Sequence, residues 1–102
     1  MSKYEDLVSE KILTRAHFGL QKYGVSLERE DLTFIEWLDH AQEETMDLAN
    51  YLEVLHHRPE VEDIKMNDVS VKDALLKAQA EILVLSLYLE ALIQDAKYRS
   101  KQ

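Results

Sequence analysis

Pro59 is the one proline in this chain, and Gly19 and Gly24 are its two glycines. Residues that interrupt helices are thus nearly absent from 102 positions. A chain with so little punctuation folds as a few long elements. Leu, Ala, Glu and Lys are frequent, and these residues favour helix over strand. With 46% hydrophobic and 31% charged residues, the make-up is that of a folded domain, not a disordered segment. The length suits a single domain spanning 1–102.

Periodicity divides the chain into three helices. The first runs from about Tyr4 to Tyr23, where Leu7, Val8, Ile12, Ala16 and Leu20 recur at helical spacing. Gly24 then suits the left-handed position that ends many helices. The second helix begins at a capping box. Thr33 is followed three positions on by Glu36, and Leu32 with Trp37 has the spacing of a hydrophobic staple. Phe34, Leu38, Ala41, Leu48, Ala49, Leu52 and Leu55 are expected to line its apolar face. It must end before Pro59, because the residue ahead of a proline is pushed out of α geometry. Residues from His56 to Val69 read as a loop, and Ser70 with Asp73 caps a third helix running from about Val71 to Tyr98.

The centre of that third helix, Ile82 to Ile93, is apolar around nearly its whole circumference. A helix packed on one side needs only a stripe. Leaving several Leu and Ile side chains in water costs roughly 1.5–3 kcal/mol each. The expected fold is therefore an all-α, three-helix protomer that assembles into a helical-bundle oligomer, a homodimer or homotetramer.

Charge narrows the partners. Twenty acidic residues against twelve basic ones give a formal charge of −8. Such a chain is poorly suited to gripping a nucleic-acid backbone, which needs clustered Lys and Arg. Any nucleotide ligand would need a divalent cation between its phosphates and this surface. There is no cysteine, hence no disulfide and no thiolate metal site. The first residues carry no apolar run of the secretory kind. The longest apolar stretch, Ile82 to Leu89, is too short to span a bilayer. A cytoplasmic location is expected, with no membrane partner.

The polar face of the second helix carries the chemistry. On a helical wheel Glu36, His40, Glu43, Asp47 and Asn50 fall within about 80° of one another, with Glu44 and Tyr51 at the edge nearer the apolar face. Glu43, Glu44 and Asp47 are its densest part. Like charges three and four residues apart repel. A sequence tolerates them where the face is well solvated or where a cation sits on it. Mg²⁺ takes oxygen ligands, and this spacing lets two carboxylates reach one ion. The bland alternative is a solvated acidic face. His56 and His57, at the helix end, are expected to interact with the C-terminal dipole and not to bind metal.

The stretch Glu36-Trp37-Leu38-Asp39-His40-Ala41-Gln42-Glu43-Glu44-Thr45-Met46-Asp47-Leu48-Ala49-Asn50-Tyr51-Leu52, preceded by Lys22-Tyr23-Gly24, resembles the MazG-like all-α nucleotide pyrophosphohydrolases, in particular short phage-type members. The resemblance covers roughly residues 12 to 55. It implies a helical oligomer with Mg²⁺ (or Mn²⁺) on acidic helices. It also implies hydrolysis of nucleoside triphosphates between the α and β phosphates. Glu43, Glu44 and Asp47 match the family's Glu-Glu-x-x-Glu/Asp ligand pattern, with Glu36 as an extra ligand. The family's second pattern, Glu-x-x-Asp on the next helix, meets Glu81 here, but Val84 stands at the aspartate position.

On this reading Glu44 or Glu36 orients or deprotonates the attacking water. Lys22 and Arg15 are candidates for phosphate contacts, although solvated helix charge is the favoured account of both. Tyr51 stacks on a base, and Trp37 is assigned to packing. The competing function class is a non-catalytic helical protein that binds another protein, which the Val84 departure favours.

Overall fold

A computed structural model describes residues 2–23 and 30–102, with the side chains of 21–23 excluded. The chain divides into two compact units, Met1–Leu32 and Thr33–Gln102. The first unit contains α1, Lys3–Tyr23. It opens with acidic Glu5 and Asp6, which suit the positive end of the helix dipole. Ser2 Oγ accepts from the Glu5 N–H at 3.2 Å. The Gly24 cap expected from sequence lies outside the described residues.

The second unit contains α2 (Phe34–His56), a short 3₁₀ turn (Pro59–Val61), the strands β1 (Lys65–Met66) and β2 (Val69–Ser70), and α3 (Val71–Ser100). The capping box at Thr33 is present in full. The Ser70 side chain accepts from the Asp73 N–H to open α3. Pro59 ends α2 as expected and starts the 3₁₀ turn. Within the stretch read as loop, β1 and β2 pair antiparallel, Met66 opposite Val69. The two residues between them, Asn67 and Asp68, both take positive φ, 52° and 64°. That is the requirement of a tight primed hairpin turn, and Asn and Asp are the side chains that tolerate it. Arg58 to Glu60 and Lys72 to Glu62 tie the connection down.

α2 and α3 form an antiparallel hairpin. Gln42 Nε2 donates to the Ser86 carbonyl at 3.3 Å and to Glu90 Oε2 at 3.1 Å. Nearer the loop, Gln79 Nε2 donates to the Ala49 carbonyl at 3.2 Å and to Glu53 Oε2 at 2.9 Å. The seam is traced on α2 by Ile35, Leu38, Gln42, Thr45, Ala49, Leu52 and His56 and on α3 by Lys72, Leu75, Gln79, Ile82, Ser86, Leu89, Ile93 and Ala96, with Trp37, Asp39, Val71, Ala74 and Ala78 half-covered beside it. Both sets alternate in steps of three and four, the a/d spacing of a coiled-coil seam. The seam is narrow. Leu38, Leu52 and Ile93 are its buried apolar residues, beside buried Thr45 and His56.

This corrects the expected apolar face of α2. Leu38, Ala49 and Leu52 face the seam, but Phe34, Ala41, Leu48 and Leu55 stand exposed. They lie a heptad apart at the g positions, with Trp37, Glu44 and Tyr51 at the c positions beside them. α3 repeats the arrangement with Val71, Ala78, Leu85 and Leu92 at g and Ala74, Glu81 and Tyr88 at c. In an antiparallel pair the g positions of both helices flank the same side of the seam. The hairpin therefore has a second apolar stripe on each helix, both on one side.

Candidate functional site

Four carboxylates expected at the site lie on α2, and the structure gives them different surroundings. Glu36 Oε1 accepts the Thr33 N–H at 2.9 Å, and Thr33 Oγ1 accepts the Glu36 N–H at 3.1 Å. Its carboxylate is thus committed to the capping box at the positive end of the helix. Glu43 is 3.9 Å from His40 Nδ1, both side chains largely in solvent. Glu44 and Asp47 are exposed. In the heptad frame Glu43 is at b, Asp47 at f and Glu44 at c, so the two glutamates flank Asp47 along the outward ridge of α2.

Tyr51 is one heptad beyond Glu44, on the same stripe and exposed. On α3, Glu81 and Val84 are both exposed. Arg15 belongs to the first unit, where its guanidinium lies 4.9 Å over the Phe18 ring. The Lys22 side chain falls outside the described residues.

Among the described residues, the cluster of metal-ligating side chains that does converge is a different one. Donor atoms of Glu53, His56 and His57 lie within 4.8 Å of one another. Helical spacing explains it, since i+3 and i+4 from Glu53 fall on one face at the end of α2. Glu53 Oε1 meets His57 Nε2 at 2.9 Å, and Glu53 Oε2 is 3.8 Å from His56 Nδ1. His56 is 8% exposed, and its Nδ1 is buried without a hydrogen-bond partner. The two imidazoles tilt against each other with centroids 4.0 Å apart. His57 is also the C-cap residue of α2. The Glu-x-x-His-His spacing was the visible signal for the cluster; burial of His56 in the seam was not.

The hydrogen bond from Gln79, then that from His57, holds the Glu53 carboxyl below the ordinary carboxylate value. At the other end of the hairpin, bonds from Gln94 and then Gln42 do the same for Glu90. Each seam glutamine thus clamps a glutamate of the opposite helix.

The fold and these sites define an all-α helical-hairpin protein with an acidic outer ridge. No described helix is long and apolar enough to cross a membrane. Comparison with family models, curated proteins and solved structures returned no match.

Proposed function

We propose that this chain is a Mg²⁺-dependent nucleoside triphosphate pyrophosphohydrolase that acts as a self-associated helical bundle. The observation that carries the reading is the position of Glu44. It interrupts an otherwise apolar stripe, lying between exposed Ala41 and Leu48 along the helix, with half-buried Trp37 one heptad before it and exposed Tyr51 one heptad after. When a second copy covers that stripe, Glu44 loses water, and a carboxylate without compensation there is costly. A divalent cation shared with Glu43 and Asp47 offsets that cost. Glu81 occupies the matching place on α3, between Ala78 and Leu85.

The donor set suits the ion. Three carboxylates at i, i+1 and i+4 offer hard oxygen ligands, and the exposure of Glu43 and Asp47 on the outward side leaves room for water and phosphate oxygens. Mg²⁺, when bound, neutralises phosphate charge and acidifies a bound water. The chain's own residues supply the rest. Glu43 and Asp47 hold the site, with Glu36 kept at the helix cap. Glu44 accepts the proton of the attacking water. The water oxygen ends on one phosphate as the α–β anhydride breaks, giving a nucleoside monophosphate and pyrophosphate. Tyr51 offers a ring to the base.

A second reading is a non-catalytic helical protein that binds another protein. It is favoured by Val84 at the position of a second α3 ligand. Calorimetric titration with Mg²⁺, paired with pyrophosphate release from a panel of nucleoside triphosphates, decides between them. The hydrolase reading expects saturable binding and release, both lost in Glu44→Ala/Asp47→Ala. Absence of both in the native chain leaves the binding protein.

A further inference from the structure

We propose that Glu53, His56 and His57 form a transition-metal site of the Zn²⁺ class, separate from the acidic ridge. Two imidazoles and one carboxylate are the donor set that Zn²⁺ favours and Mg²⁺ avoids. Ligands on a tetrahedral ion at Zn²⁺ bond lengths sit about 3.4 Å apart. One donor atom from each residue lies within 4.8 Å of the others, with His57 Nε2 2.9 Å from Glu53 Oε1 and His56 Nδ1 3.8 Å from Glu53 Oε2. Side-chain adjustment within the cluster closes the set on one ion.

Three further observations point to a ligand. His56 is buried, its side chain 11% exposed, yet its Nδ1 is fully covered without a hydrogen-bond partner and lies 3.8 Å from Glu53 Oε2. A buried acceptor or donor left unmatched is a standing cost that a metal bond removes. Glu53 is also held from behind: Gln79 donates to its Oε2 at 2.9 Å, the outer-shell bond that orients a ligating carboxylate. The cluster ends α2, where the helix dipole favours a cation. Glu53 and His57 are exposed, so the fourth coordination position opens to solvent, as in sites that keep a water.

The test titrates Zn²⁺ into the metal-stripped full chain in the presence of excess Mg²⁺. One Zn²⁺ per chain is expected. His57→Ala and Glu53→Gln, both at exposed positions that leave the seam packed, should each weaken it. Losing one of three ligands costs at least what loss of an outer-shell partner does, roughly 10- to 100-fold. Co²⁺ in place of Zn²⁺ should give the intense visible bands of a tetrahedral site, and these should fade in both variants. Glu44→Ala/Asp47→Ala should bind Zn²⁺ as the native chain does, which separates this site from the hydrolase reading. Absence of Zn²⁺ binding overturns the proposal. So does affinity that survives in His57→Ala and Glu53→Gln but falls in His40→Ala.

Discussion

Glu36 shows how one side chain can be claimed by two roles. Its carboxylate closes the capping box with Thr33, and the family resemblance would also have it ligate a metal. The two roles respond differently to substitution. Gln at the N3 position still closes the box, whereas an amide is a poor Mg²⁺ ligand. Thr33→Ala should cost about 1 kcal/mol in urea unfolding, the usual value of a lost cap. Glu36→Gln should leave both unfolding and Mg²⁺ affinity close to native. A marked loss of Mg²⁺ affinity in Glu36→Gln would instead make Glu36 a ligand.

Glu53 gives a pH dependence with a defined sign. Its folded value lies below the ordinary 4.5, chiefly because Gln79 donates to the charged form. The folded protein therefore binds that proton less readily than the unfolded chain. The resulting stability is present above 4.5 and is lost as pH falls through the folded value. Gln79→Ala removes the leading cause. The stability difference between native and variant should be larger at neutral pH than in acid, as read by urea unfolding at both. A difference that does not change with pH would show that Gln79 acts on packing alone.

At the scale of the elements, the hairpin depends on a thin seam. Ile93 is 1% exposed, the most covered large side chain described, whereas Leu87 on the same helix is 70% exposed. Ile93→Ala should destabilise the hairpin by about 2–5 kcal/mol through lost burial and the cavity left behind. Leu87→Ala should change unfolding by no more than about 0.5 kcal/mol. Equal effects would mean that the seam is not where the helices hold together.

The seam also explains what could be read from sequence. Helix ends were legible because Thr33, Pro59 and Ser70 act locally, through hydrogen bonds and sterics within a few residues. The apolar face of α2 was not fully legible. A 3.6-residue period cannot separate an a/d stripe from the g/c stripe beside it. Here Gln42, Thr45 and His56 take seam positions, while Phe34, Leu48 and Leu55 take the neighbouring ones. Two of the polar seam residues are satisfied across or along the helices, Gln42 by donating to the Ser86 carbonyl and Thr45 Oγ1 by donating to the Gln42 carbonyl at 2.7 Å, whereas His56 Nδ1 has no such partner. Burial thus followed hydrogen bonding as much as hydropathy. The β1–β2 hairpin was hidden for another reason. Strands of two residues show no alternation, and only Asn67-Asp68 marked the turn.

For the whole molecule the question is what covers the second apolar stripe. Leu48 and Leu55 on α2 and Leu85 and Leu92 on α3 are each between 41% and 49% exposed and share one side of the hairpin. Contiguous apolar surface of this kind marks an interaction site. The net charge of −8 gives copies a mutual repulsion that hydrophobic contact, or a cation at Glu44, must overcome. Self-association through this side therefore makes two predictions that stand together. Leu48→Lys and Leu85→Lys, one on each helix, should each shift sedimentation equilibrium toward monomer, since each buries a new charge at the contact. Leu87→Lys, off the stripe, should leave the association constant unchanged. If the native chain is an oligomer, its melting temperature should rise with protein concentration, and Leu48→Lys should abolish that rise. An oligomer broken by Leu87→Lys but not by Leu48→Lys would move the interface to the far face of α3. It would also leave Glu44 in open solvent, removing the physical reason for a cation there.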